Sequence, residues 1–168
     1  ALIMGNNRRF LIRCKLTTPF LAARRKEKMR IFDINHVGDK KFFKIDTPQW
    51  RWAIREAFDS MGLIPAVDID YLRLPAEIAA PTIRTYKRTW ESRSEESFEC
   101  FQAGTVITFP VFILAELEQR NFNGIQINSR PPTKEEVKEC FTIIGESIGL
   151  SPWGSKFGYG RFIVEEVE

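Results

Sequence analysis

Histidine is almost absent from this chain: His36 is the only one in 168 residues. Any general base working through an imidazole near neutral pH would have to be His36, and no Ser, His and Asp set for nucleophilic catalysis can be recognised around it. Cysteine is nearly as scarce. Cys14, Cys100 and Cys140 are odd in number, far apart and without a CxxC spacing, which argues against a disulfide framework. A four-ligand zinc site would need all three together with His36, so buried free thiols are expected, with no metal and no cofactor. Long apolar runs are missing too. The longest candidate is broken at Pro110 and Glu116, short of the about 18 residues that a membrane-spanning helix needs. Ala1 to Met4 meet Arg8 and Arg9 too soon for a secretory leader. A cytoplasmic protein without a membrane partner is the expectation.

What is present is apolar and basic. The chain is 43% hydrophobic with 14 Phe and 4 Trp, enough to bury a core and fitting one domain over residues 1–168. Its net charge of +3 is unevenly spread: residues 1–55 carry 14 Lys and Arg against 4 Asp and Glu, a balance of +10, and residues 56–168 carry 11 against 18, a balance of −7. A basic face made mostly by the first third would attract nucleic acid, an anionic membrane surface or an acidic subunit, and charge alone does not choose among them.

Period-2 alternation in RRFLIRCKL predicts a first strand with Phe10, Ile12, Cys14 and Leu16 inward and Arg9, Arg13 and Lys15 outward. MRIFDI and KKFFKID, either side of Gly38-Asp39, predict a hairpin, placed within an insertion at about 24–46 with His36 at its tip. Thr47 as N-cap and Pro48 at the first helical position open a predicted helix whose stripe is Trp50, Ala53, Ile54, Ala57, Phe58 and Met61, with Gly62 as its stop and Trp52 off the stripe. VDIDYLRL alternates as a strand ended by Pro75, and TIRTYKRTW as another. Their neighbourhood, about 75–104, reads as an irregular elaboration. TVITFPVFIL is a buried strand in which Pro110 marks an edge or a bulge; IQIN follows an Asn123-Gly124 turn. Thr133 and Glu136 form a capping box for a second helix, with Val137, Cys140, Phe141, Ile144 and Ile148 buried and Gly149 as its end. RFIVEEV closes the chain as a strand. This order is that of an α+β, ferredoxin-like (RRM-like) antiparallel sheet with two helices on one face and an inserted β-hairpin.

Three segments carry candidate chemistry. The turn after Gly149 holds Gly154, Gly158 and Gly160, with Lys156 and Arg161 among them and Trp153, Phe157 and Tyr159 interleaved. Glycine permits close backbone approach to a phosphate, the cations supply charge and the rings can stack on bases; the same spacing also suits a tight helix-to-strand connection. Arg84, Tyr86, Arg88 and Trp90 share one strand face, suited to a single strand laid across a sheet or to ordinary cross-strand pairs. ARRKEKMR, with Arg24, Arg25 and Lys28, suits an arm around a phosphate backbone or a solvated loop. Asp68 and Asp70, at i and i+2, would hold Mg²⁺ or would cap and pair with arginines; no metal site is expected.

The stretch EEVKECFTIIGESIGLSPWGSKFGYGRFIVEEV resembles the end of the RAMP superfamily, the RNA-binding subunits and processing enzymes of CRISPR systems. There a helix leads into a glycine-rich loop ending glycine-hydrophobic-glycine, then arginine and a strand, as Gly158-Tyr159-Gly160-Arg161-Phe162 stand here. IDTPQWRWAIREAFDSMG is similar to the first helix of those proteins, around Arg55-Glu56-Ala57. The resemblance implies a non-catalytic module for single-stranded RNA or DNA, a subunit of a CRISPR-type ribonucleoprotein in antiviral defence. It also leaves room for a metal-independent endoribonuclease using His36, since family processing enzymes often use a histidine early in the chain. A third reading is an assembly subunit whose Trp52 and Trp90 bury against copies of itself or a protein partner.

Overall fold

In the computed structural model, the alternation of RRFLIRCKL produces β1 (Arg8–Leu16), with Phe10, Ile12, Cys14 and Leu16 buried and Arg9, Arg13 and Lys15 exposed. The structure describes residues 8–21, 32–45, 47–75, 77–80, 84–88, 96–114, 120–122, 125–127, 129–150 and 158–168. After β1 come β2 (Phe20–Leu21), β3 (Phe32–Val37), β4 (Lys40–Ile45) and α1 (Thr47–Ser60). Next are β5 (Leu72–Arg73), β6 (Glu77–Ala80), β7 (Arg84–Arg88), β8 (Glu96–Phe101), β9 (Val106–Ile113), β10 (Arg120–Phe122) and β11 (Ile125–Ile127). α2 (Lys134–Ile143) and β12 (Phe162–Val167) complete the order.

The largest sheet runs β12-β1-β9-β5, and its pairs are all antiparallel. Both helices lie on its inward face: Trp50 of α1 and Phe141 of α2 each meet Phe109 of β9, with ring centroids 5.8 and 5.4 Å away, and lie 6.0 Å from each other. The chain is thus α+β, with two helices over a mostly antiparallel sheet. Two three-stranded sheets, β2-β8-β7 and β3-β4-β6, each combine strands that precede α1 with strands that follow it. Phe43 of β4 stacks on Phe20 of β2 at 4.0 Å and meets Phe101 of β8 edge-on at 4.1 Å, so both small sheets join the main core.

The α1 stripe is buried as its spacing requires, Met61 only partly, and Trp52 is 50% exposed. The helix already includes Thr47, one residue earlier than the sequence suggested. It closes with Gly62 N–H donating to the Asp59 carbonyl at 2.9 Å and Leu63 N–H to the Phe58 carbonyl at 3.0 Å, the paired bonds that satisfy the last carbonyls of a helix. The capping box of α2 is formed in full: Glu136 N–H donates to Thr133 Oγ1 at 3.2 Å and Thr133 N–H to Glu136 Oε1 at 2.9 Å. Arg130 adds two hydrogen bonds to the same carboxylate, at 2.6 and 2.9 Å. These bonds hold the Glu136 carboxyl down at about 2.

The expected strand over 67–74 is corrected. Only Leu72–Arg73 pairs with β9, because Asp68 Oδ1 accepts from the Asp70 N–H at 2.9 Å and winds Ile69–Tyr71 into a 3-10 turn. Asp70, buried, faces the guanidinium of Arg51. An Asx-type bond competes with the sheet ladder, and here it wins. Pro110 sits within the β1–β9 pairing, opposite Leu11. Leu11 spends its own N–H and carbonyl on Glu168 of the other neighbour, at 2.9 Å each. Position 110 therefore needs no N–H toward β1, and its other side lies beyond the two residues that β5 covers.

Candidate nucleic-acid interface

Of the glycine-rich turn only its end, from Gly158 onward, is among the described residues, and that end is docked. Gly160 is buried, with φ +68. Its N–H donates to the Pro19 carbonyl at 2.8 Å and its own carbonyl accepts from Leu150 N–H at 2.9 Å. Arg161 continues the seam: its N–H donates to Thr18 Oγ1 at 2.9 Å, and its carbonyl accepts from the N–H groups of Thr17 and Thr18 at 2.9 and 3.4 Å. The turn after α2 is thereby stitched to the loop after β1. Positive φ at Gly158 and Gly160 explains why glycine stands at both ends of Gly-Tyr-Gly.

The Arg161 side chain runs back under Gly158, where a Cβ would lie 3.6 Å from Nε. Its Nη1 donates to the Glu146 carbonyl at 2.8 Å. That carbonyl belongs to a π-helical turn, Ile144–Ile148, which widens the end of α2. Arg161 is therefore part of the helix-to-strand joint, with Nε buried and without a hydrogen-bond partner among the described residues.

The other candidates fall as follows. Arg24, Arg25, Lys28, Trp90, Gly154 and Lys156 lie outside the described residues. The basic run that holds the first three begins at Ala23, and its first cation, Arg24, stands five residues beyond Pro19 in the chain. Arg84, Tyr86 and Arg88 occupy β7, in register with Cys100, Phe98 and Glu96 of β8; their side chains are outside the described set, and Thr85 and Lys87 between them are exposed. His36 is a strand residue of β3, opposite Lys41, with Val37 and Lys40 between it and the Gly38-Asp39 turn. Its side chain too is outside the described set. Tyr159 is half-buried.

No family model matches the chain, and no curated protein matches it. Among solved structures it is similar to a chain titled "CRISPR RNA-guided surveillance complex", with a TM-score of 0.46 and 12% identity over 94% of this chain and 67% of that one.

Among the described residues no cluster of three or more His, Cys, Asp or Glu could hold a metal ion, and no helix is long and apolar enough to cross a membrane. Burial pushes the Cys14 thiol up to about 12, helped by nearby Glu165, and raises Cys140 further; neither is poised as a nucleophile. Two features of the fold lie outside what the sequence pattern predicts. Thr17–Pro19, the seat of the turn, carries no signal of its own. Phe112 was absorbed into a uniformly buried strand, yet the phase of Phe109, Val111 and Ile113 inward leaves it 41% exposed on the opposite face.

Proposed function

We propose that this chain is a non-catalytic nucleic-acid-binding module that prefers single strands. The observation that carries this reading is the seating of Gly160 and Arg161 on Thr17–Pro19, at the root of the basic run with Arg24, Arg25 and Lys28. The backbone donors of that junction are spent on holding it together, so a polyanion there would be met by the cations and aromatic rings of the two segments it joins. Lys156, Tyr159 and the glycines at 154, 158 and 160 form one side of the clamp, and the basic arm the other. Arg161 is the joint that holds the turn in place. Arg84, Tyr86, Arg88 and Trp90 extend the surface.

The strand order β12-β1-β9-β5 under two helices supports a ferredoxin-like core. On that view 1–168 is one RAMP-like domain in which β3 and β4 belong to the inserted hairpin and β6 to β8 to the elaboration. The family resemblance supports a role for such a module in a CRISPR-type ribonucleoprotein.

The test is binding of labelled oligouridylate and oligothymidylate to the full chain by fluorescence anisotropy across a salt series. A steep salt dependence is expected. Replacing Arg24, Arg25 and Lys28 by Ala should shallow the log–log slope by about 0.7 for each phosphate no longer neutralised. A chain that binds neither oligonucleotide at low salt sinks the reading. The assembly reading has one observation in its favour, Trp52 at 50% exposure on α1; a clean monomer in light scattering counts against self-association through it.

A further inference from the structure

We propose that the open face of the four-stranded sheet is a second contact surface for the same single strand, with a base stacked on the Phe112 ring. This deepens the nucleic-acid reading above and rests on it.

Phe112 is the exposed aromatic of a central strand, turned away from both helices. Its cross-strand partner on one side is Arg9, whose guanidinium carbon lies 5.8 Å from the ring centroid. Its partner on the other side is Arg73 of β5. The Arg73 Nη1 is held in place by the carbonyls of Asp70 and Leu72. An apolar ring between two cations gains little from water, whereas a π-face beside guanidinium groups suits a nucleobase with its phosphates.

Charge decides the direction of the strand and the class of the occupant. Along β1 the same face carries Arg13 and Lys15, both exposed. At the β12 border the charge turns negative: Glu165 lies 3.8 Å from Arg13, and Glu166 and Glu168 line a cavity of about 150 Å³ together with Leu11, Arg13 and Thr108. That acidic cavity reaches Thr108 of β9, so a polyanion is repelled there and drawn to the Phe112 end of β9, between Arg9 of β1 and Arg73 of β5. A protein partner docking on Phe112 would instead have to desolvate Arg9 and Arg73.

The experiment uses the full chain with the two oligonucleotides above. Phe112→Ala should weaken binding roughly tenfold, from the removal of one base–aromatic stack. Phe112→Trp should restore it, and Arg9→Gln should lower the salt slope by about 0.7. Because truncation could disturb folding, ultraviolet crosslinking of the unaltered chain is the second measurement, with the oligonucleotide expected on the peptide containing Phe112. Binding that survives Phe112→Ala unchanged, with crosslinks only elsewhere, overturns the sheet-face assignment and leaves the clamp reading standing. No binding by the unaltered chain overturns both. Disappearance of a dimer in Phe112→Ala with unchanged oligonucleotide affinity also overturns it, in favour of a protein contact.

Discussion

Glu136 shows how much one side chain can coordinate. It closes the α2 capping box and receives two hydrogen bonds from Arg130, and the backbone of Arg130 pairs with the strand-like stretch at 66–68. The Arg130 bonds are the main reason that its carboxyl falls from the ordinary 4.5 to about 2. A depressed folded-state value means that the stabilisation is fully present above about pH 4.5 and is lost as pH falls from there through 2. Glu136→Gln should therefore cost on the order of 1 kcal/mol at neutral pH, because the Arg130 pair is half-exposed. It should also flatten the pH dependence of stability below 4.5, as read from denaturant melts at pH 7 and pH 3. An equal loss at both pH values would contradict this account. Thr133 and Glu136 were legible as a pair three residues apart. Arg130 was not, because nothing in the sequence says that a residue outside the helix turns back onto its first turn.

At the scale of elements, the joint between α2 and β12 is a close backbone approach. A Cβ at Gly145 would lie 2.7 and 2.9 Å from ring carbons of Phe162 and closer still to its carbonyl. The helix can approach the first residue of β12 this closely only without a side chain, and the π-helical turn sets the phase that brings Gly145 to that spot. Gly145→Ala should destabilise by about 1–3 kcal/mol as an overpacked site, measured by thermal or urea unfolding; a neutral result would mean that the helix end can shift freely. The sequence marked Gly149 as the end of the helix, and Gly149 does carry a φ of +77 there. The π turn before it left no such mark, since it accompanies the close approach of Gly145 to Phe162, a residue far along the chain. Similarly, VDIDYLRL has the alternation of a strand, and a single Asp68 side-chain bond redirects it.

For the molecule as a whole, the stability of the two small sheets depends on Phe43, which touches Phe20 and Phe101 across both. Phe43→Ala should cost about 3–5 kcal/mol as a buried aromatic truncation. It should also raise hydrogen exchange in β2, β4, β6 and β8 together; an effect confined to β3 and β4 would show that the sheets stand separately. What the sequence determined by itself was local: the inward phase of β1, the stripe of α1, that of the second helix as far as Ile144 with Ile148 only partly buried, the Gly38-Asp39 hairpin and the capping box. Each depends on a periodicity or on a bond between near neighbours. The tertiary structure alone decided which strands pair across α1, which face of β9 Phe112 presents, and that Gly160 and Arg161 sit on Thr17–Pro19. Those outcomes depend on contacts between residues far apart in the chain, such as Gly160 with Pro19. A local pattern can offer such partners but cannot choose among them, since the choice follows from burying all the apolar faces at once.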